Sequence, residues 1–116
     1  MKVVIDTNIL VDYLHRSEAA REELARYDAP GISLITWMEV LIGAKDKDDA
    51  QILRGFTLPI ENGVAELAVE LRRTHRIRLP DAIIWATARS ANRLLVTRNT
   101  RDFPATDPGV RVPYER

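Results

Sequence analysis

The chain of 116 residues contains no cysteine. This absence excludes disulfides, thiol nucleophiles and thiolate zinc sites, so any metal has to be held by oxygen or imidazole ligands. Only two histidines are present, and the separation of His15 from His75 fits neither an i, i+4 pair nor the HExxH motif of zinc enzymes. We therefore expect both histidines to lie at the surface, outside any metal site.

Neither sign of charge predominates, because 17 lysines and arginines balance 17 aspartates and glutamates. The chain thus lacks the overall basic charge that is typical of nucleic-acid-binding domains, and any contact with a nucleic acid has to come from local clusters. Long hydrophobic runs are absent as well. The first apolar run, from Val3 to Ile5, is far shorter than a signal peptide or a membrane span. We therefore expect a cytoplasmic protein without a membrane partner.

Repeats, low-complexity stretches and Gly/Ser linkers are also missing from the sequence. A hydrophobic content of 46% is enough for one core in a chain of this length. Nothing in the composition marks an internal boundary, so we expect residues 1–116 to form a single domain.

Short apolar runs alternate with segments of helical periodicity along the chain. This alternation predicts an α/β protein, namely a three-layer α/β/α sandwich around a central parallel sheet of four to five strands. The carboxyl ends of the strands in such a sheet lie at one edge, where open α/β proteins bind ligands. We predict strands within residues 2–5, 31–35, 52–60, 94–97 and 110–112, helices within residues 9–14, 17–27, 36–44, 61–76 and 80–91, and an exposed charged interruption at residues 45–49.

Four acidic residues stand close to the ends of predicted strands or to the starts of the helices that follow them: Asp6, Glu39, Asp81 and Asp102. Taken singly, three of them also have a local explanation. Asp6 could cap the helix that follows it, Thr36 and Glu39 have the spacing of a capping box, and Asp81 suits the first turn of a helix.

Taken together, the four acids predict a cation site. Carboxylates that lie close to one another repel, and without a counter-charge they become protonated or destabilise the fold. A divalent cation removes this conflict, and Mg²⁺ and Mn²⁺ are the ions that prefer oxygen ligands and are held by a few carboxylates together with phosphates. Phosphodiester cleavage is the chemistry that such a site serves.

The motifs around these acids resemble those of the PIN-domain nucleases, and most closely the VapC-type toxins of prokaryotic toxin-antitoxin pairs. The resemblance spans nearly the whole chain. Each motif is weak alone, but their order and spacing are specific. They are Val4-Ile5-Asp6-Thr7-Asn8, Glu39 within residues 33–43, Leu79-Pro80-Asp81-Ala82, the run from Leu95 to Phe103, and the terminal stretch from Gly109 to Tyr114.

The resemblance implies a metal-dependent endoribonuclease with Mg²⁺ or Mn²⁺ as its cofactor. Asp6, Glu39 and Asp81 match metal ligands of the family. For the fourth position we favour Asp102, with Asn99 as the alternative, because relatives carry the acid at either place. The resemblance also implies supporting contacts to the acids or to RNA from Thr7, Asn8, Thr97 and Asn99. Arg98 and Arg101 stand close to Asp102 in the sequence, so they are candidates either to guide RNA to the site or to neutralise the acids.

The implied partners are an RNA substrate, a VapB-type antitoxin and a second copy of the chain. In the family, apolar side chains on the early helices bind the second copy and a segment of the antitoxin. The matching positions here are Leu10, Tyr13, Leu14, Trp37, Leu41 and Ile42.

Two other functions fit parts of the sequence. A PIN-fold domain without catalysis would serve only as a binding module, although the presence of all four acids argues against this. A receiver-like signalling domain also has an aspartate and a threonine at strand ends. It needs, however, an acidic pair after the first strand and a lysine after the fifth, and Asp6-Thr7 and Pro113-Tyr114 stand there instead.

Overall fold

The computed structural model describes residues 2–43 and 47–115. Strands and helices alternate along most of the chain, as predicted, although the strands are two or three residues long. The elements are β1 (Val3–Ile5), α1 (Thr7–Leu14), α2 (Glu18–Leu24), β2 (Ile32–Ser33), α3 (Leu34–Gly43), α4 (Lys47–Arg54), β3 (Thr57–Leu58), α5 (Asn62–His75), α6 (Leu79–Ser90), β4 (Leu94–Val96) and β5 (Val110–Arg111).

All strand pairs are parallel. Strand β4 lies between β1 and β5, with Val4 opposite Leu95, and β2 pairs with β3. Gly31 joins the two groups, because its carbonyl oxygen accepts from Ile5 N at 2.8 Å and its amide donates to Val3 O at 3.0 Å. A side chain at Gly31 would lie 3.1 Å from Leu58 Cδ1, so the close approach of β3 favours glycine here.

The sheet separates two hydrophobic cores. Successive side chains of a strand point to opposite faces, so Val4 and Leu95 pack in one core while Val3, Ile5 and Val96 pack in the other. Helices α5 and α6 cover the first face, and α1 and α3 cover the second. The predicted α/β fold with helices on both sides of a parallel sheet is therefore confirmed.

Two local predictions were wrong. Helix α3 begins at Leu34, because Ser33 accepts a hydrogen bond from Ile35 N at 3.2 Å and starts the helix earlier than expected. Thr36 consequently lies inside the helix, fully buried, and forms no capping box with Glu39. Residues 52–54 belong to α4, so the predicted third strand is reduced to Thr57–Leu58.

The charged interruption predicted at residues 45–49 falls partly outside the described residues, and α4 already begins at Lys47. Across residues 2–43 and 47–115, none of the helices has both the length and the apolar character that crossing a membrane requires.

Candidate active site

Asp6 lies directly after β1 and is 3% exposed. Its Oδ1 accepts from Thr7 N at 2.7 Å, so it caps α1 as a helix-start acid would. Its Oδ2 accepts from Thr97 Oγ1 at 2.6 Å and from Asn8 Nδ2 at 3.2 Å. The carboxylate is therefore held by groups from both β1–α1 and the end of β4, which the parallel pairing of these strands brings to the same edge.

Burial raises the pKa of Asp6 to about 6, although the hydrogen bonds from Thr97 and Thr7 oppose the shift. The negative charges of Asp81 and Glu39 raise this pKa further. An anionic Asp6 is thus costly in this site unless a positive charge is brought to it.

Glu39 lies on α3 with its side chain exposed. Thr7 Oγ1 donates to Glu39 Oε1 at 2.9 Å and lies 3.0 Å from the buried hydroxyl of Thr36. The first residue of α1 therefore links the glutamate of α3 to the strand end that carries Asp6.

Asp81 lies in the first turn of α6 and is 7% exposed. Burial raises its pKa, the nearby Arg78 guanidinium lowers it, and the charges of Asp102 and Glu39 raise it again. Arg78 Nε donates to Asp81 Oδ2 at 3.2 Å from a largely exposed side chain. Each of the four acids thus interacts electrostatically with at least one other.

Asp102 and Asn99 share one turn after β4. Asn99 Nδ2 donates to Asp102 Oδ2 at 3.0 Å, and Asn99 Oδ1 accepts from Asp102 N at 3.2 Å. The backbone amide of Asn99 also donates to Thr97 Oγ1 at 3.0 Å. The two candidates for the fourth position are therefore neighbours, and the side chain of Asn99 orients the carboxylate of Asp102.

The two arginines of this turn differ in their surroundings. Arg101 is exposed, whereas Arg98 donates through Nε and a terminal nitrogen to Asp12, at 2.6 and 3.2 Å. Sequence reasoning missed Asp12, which is buried on α1. Its partner lies 86 residues away, so no local pattern in the sequence pointed to the pair.

The four acids Asp6, Glu39, Asp81 and Asp102 are hereafter called the acidic cluster. Within the described part of the chain, no group of three or more histidine, aspartate or glutamate side chains is placed to hold a metal ion. The donor chemistry nevertheless fits a hard cation, because the cluster offers carboxylate oxygens with adjacent hydroxyls and amides. Mg²⁺ is usually bound by one or two carboxylates and keeps several waters, so it does not need three protein ligands.

An apolar groove of about 330 Å³ lies beside α1, and Ile5, Leu10, Tyr13, Leu24 and Phe56 are among the residues that line it. Two of the positions predicted to bind a partner, Leu10 and Tyr13, line this groove. Leu10 is buried, Trp37 and Leu41 are half-buried, and Tyr13, Leu14 and Ile42 are exposed.

The profile of the PIN domain family matches residues 3–107. The chain belongs to the PIN domain family. The predicted resemblance to PIN-domain proteins of the VapC type is therefore confirmed, and this membership leaves the receiver-like alternative without support. A search of curated protein sequences gave no significant match.

Several solved structures are similar to this PIN domain over nearly their full length. A chain of a toxin-antitoxin complex from Klebsiella pneumoniae is 42% identical, with a TM-score of 0.87 and coverage of 98% of this chain and 99% of that one. A chain of DNA-bound VapBC from Salmonella typhimurium is 26% identical, with a TM-score of 0.73 and 96% coverage of both chains. A chain of FitAcB from Neisseria gonorrhoeae is 25% identical, with a TM-score of 0.74 and coverage of 97% and 98%.

Proposed function

We propose that this PIN domain is a Mg²⁺- or Mn²⁺-dependent endoribonuclease that hydrolyses phosphodiester bonds of RNA. The observation that carries the proposal is the acidic cluster, whose members come from four separate parts of the chain. Burial and the charges of the other members raise the pKa values of Asp6 and Asp81. Buried carboxylates that repel one another in a metal-free protein suit a site that functions with a cation bound.

Asp6, Glu39, Asp81 and Asp102 would hold the metal, directly or through water. When bound, the cation lowers the pKa of a water molecule and stabilises the negative charge that develops on the phosphate. The chain's own contribution is to fix the ligands. Thr97 and Asn8 orient Asp6, Thr7 orients Glu39, and Asn99 orients Asp102. Hydrolysis by a metal-activated water requires no side-chain nucleophile.

The test is cleavage of total RNA by the purified protein, with the cut sites mapped by sequencing. We expect cleavage with MgCl₂ or MnCl₂, none after EDTA treatment, and none by Asp6→Asn protein. The matched control is Asp28→Asn, which makes the same change at an exposed aspartate outside the cluster. Folded wild-type protein that binds RNA but leaves it intact with either metal would instead favour the non-catalytic binding module.

We further propose that the enzyme is the toxin of a type II toxin-antitoxin pair and that its partner is a VapB-type antitoxin. Two findings support this: the 42% identical chain comes from a structure described as a toxin-antitoxin complex, and the apolar groove beside α1 offers a surface for an apolar segment. Expression of the chain alone should arrest growth, and co-expression of the antitoxin gene should restore it. Harmless expression of a protein that is an active nuclease in vitro would contradict the toxin role.

We also propose that the toxin is a homodimer. The support on the molecule itself is the apolar surface of α3, where Ile42 is 88% exposed and Met38 is 40% exposed. A branched apolar side chain that stands almost entirely in solvent gains free energy when a second copy covers it.

A further inference from the structure

The carboxylate of Asp12 is buried on α1, with 6% of its side chain exposed, and is neutralised by Arg98. Arg98 approaches it with two donors, at 2.6 and 3.2 Å, and the hydroxyl of Tyr114 donates to it at 2.9 Å. Three parts of the chain therefore meet at Asp12: helix α1, the turn after β4, and the segment that follows β5.

Arg98 is attached to α1 at two points. Asn8 and Asp12 lie one helical turn apart, at i and i+4, and so share one face of α1. Asn8 Oδ1 accepts from the backbone amide of Arg98 at 3.4 Å, while Asp12 accepts from its guanidinium. The backbone and the side chain of one residue are thereby fixed to the same face of the helix that Asp6 caps.

The turn of residues 97–102, which contains Arg98, contacts two members of the acidic cluster. Thr97, immediately before Arg98, donates to Asp6. Asn99, immediately after Arg98, orients Asp102. A shift of residues 97–102 relative to α1 would therefore displace the Asp102 carboxylate and loosen the hydroxyl that holds Asp6.

We propose that Arg98 is a positioning residue, whose ion pair with Asp12 fixes the turn of residues 97–102 against α1 and so sets the geometry of the acidic cluster. This assignment rests on the proposed metal-dependent function. It differs from both roles that the sequence left open for Arg98, which were to guide RNA and to neutralise the acids. An arginine that binds RNA presents its donors to solvent, whereas this side chain is 24% exposed and directs its donors at a buried carboxylate.

The chain contains a matched control for this ion pair. Arg111 donates to the buried Glu23 at 2.8 and 2.9 Å, and Tyr27 donates to the same carboxylate at 2.5 Å. The two pairs share their chemistry, burial and tyrosine, but the Glu23 pair joins α2 to β5 and contacts no member of the acidic cluster among the described residues. Disruption of either pair should therefore reduce stability, but only disruption of the Asp12 pair should also disturb the geometry of the acidic cluster.

The experiment compares Arg98→Lys with Arg111→Lys, and the double variant Asp12→Leu/Arg98→Met with Glu23→Leu/Arg111→Met. Lysine keeps the charge but loses the two-donor geometry, and the double variants avoid leaving one buried charge unpaired if a single change prevents folding. Three quantities are measured on each folded protein: the urea midpoint, the MgCl₂ concentration that gives half of the metal-dependent rise in Tm, and kcat and KM on a labelled single-stranded RNA at several salt concentrations.

We expect the Arg98 variants to need roughly 10- to 100-fold more MgCl₂ for half of the Tm rise, as loss of a metal site's supporting contacts usually costs. Their kcat should fall by a similar factor with KM within about twofold of wild type, a split that separates positioning from substrate binding. The Arg111 variants should lose comparable stability in urea and keep the wild-type MgCl₂ requirement and kcat.

Three results would overturn the proposal. Arg98 variants with the wild-type MgCl₂ requirement would show that the turn does not depend on the pair. A raised KM with unchanged kcat, and a salt dependence reduced by about one phosphate contact, would show that Arg98 binds RNA. An equal change in the MgCl₂ requirement and kcat of the Arg111 variants would show that general destabilisation is the cause. If wild-type protein takes up Mg²⁺ but leaves RNA intact, the proposed nuclease function fails, while the MgCl₂ comparison still tests Arg98.

Discussion

Asp6 combines two properties that conflict in a protein without bound metal. It is buried beside other carboxylates, which favours the protonated form, and it accepts three hydrogen bonds, which favour the anion. Burial is the stronger influence, so the pKa of Asp6 rises from 3.8 to about 6. At neutral pH the folded protein therefore carries an anion where its own structure favours the acid.

The raised pKa predicts how stability depends on pH. A carboxyl group whose folded pKa exceeds its unfolded pKa stabilises the fold below pH 3.8, and this stabilisation is lost as the pH rises through about 6. In EDTA at pH 7.5 we therefore expect Asp6→Asn to be more stable than wild type, by at most about 3 kcal/mol. Urea unfolding at several pH values measures the difference, which should shrink toward pH 4.

The control for this prediction is Asp28→Asn, which should follow the wild-type curve at every pH. A gain in stability for Asp6→Asn that is the same at pH 4 and pH 7.5 would mean that ionisation of Asp6 is not its cause.

At the scale of elements, Phe103 attaches the turn after β4 to the hydrophobic core. It follows Asp102 in the sequence and is fully buried. Its ring packs edge-on against Trp85 of α6, with the centroids 5.6 Å apart. The hydrophobic core thus anchors the turn at the end opposite to Arg98.

We predict that Phe103→Ala destabilises the fold by about 3–5 kcal/mol, because it leaves a cavity beside Trp85. Phe103→Leu refills most of that volume and should cost about 1.5 kcal/mol or less. Urea unfolding of the two variants measures both values. A loss of less than about 1 kcal/mol for Phe103→Ala would contradict the packing that the structure describes.

The ion pair between Glu23 of α2 and Arg111 of β5 should make stability depend on pH in the opposite sense from Asp6. Hydrogen bonds from Arg111 lower the pKa of Glu23, although burial opposes them. A lowered pKa gives stability that is present above the unfolded value of 4.5 and lost as the pH falls through the folded value. Glu23→Gln should therefore cost about 2 kcal/mol at pH 7 and progressively less in acid. A cost in urea unfolding that stays constant down to pH 3 would contradict this.

The sequence predicted best those elements whose signal is local. Helix α5 was expected at residues 61–76 and extends over Asn62–His75, because its apolar stripe and charge order agree. The acidic site was predicted from a rule about the whole sheet, that parallel strands bring their carboxyl ends to one edge, and its role in metal binding stays a prediction. Helix α3 begins two residues early, since the capping hydroxyl belongs to Ser33 rather than Thr36.

The pairing of Asp12 with Arg98 could not be predicted, because it depends on how α1 packs against the turn after β4. Periodicity within α1 indicates which face is buried but not which distant charge will meet it. The same reason explains why the sequence left the role of Arg98 open between a contact to the acids and a contact to RNA.

For the whole molecule, equal numbers of acidic and basic residues mean that steering of RNA cannot come from net charge. Capture of a substrate therefore has to depend on the local surface around the acidic cluster. The exposed apolar side chains of α3 are the place where the proposed dimer is most directly tested.

We predict that Ile42→Glu produces a monomer, because it places a charge on a surface that the second copy would desolvate. Light scattering coupled to size-exclusion chromatography measures the mass. The free energy of unfolding in urea should stay within about 0.5 kcal/mol of wild type at equal monomer concentration once dimer stabilisation is accounted for. Val69→Glu, a change at an exposed apolar position on α5, is the control and should leave the mass unchanged. A dimer that persists in Ile42→Glu would exclude this part of α3 as the interface.

The proposed nuclease function requires that the acidic cluster hold the metal for RNA hydrolysis. The most direct measurement is the single-turnover rate of cleavage of a labelled RNA in MgCl₂ by wild-type, Asp6→Asn and Asp28→Asn proteins of verified fold. We predict a wild-type rate for Asp28→Asn and a loss of at least about 100-fold for Asp6→Asn. Cleavage by Asp6→Asn at the wild-type rate would contradict the claim.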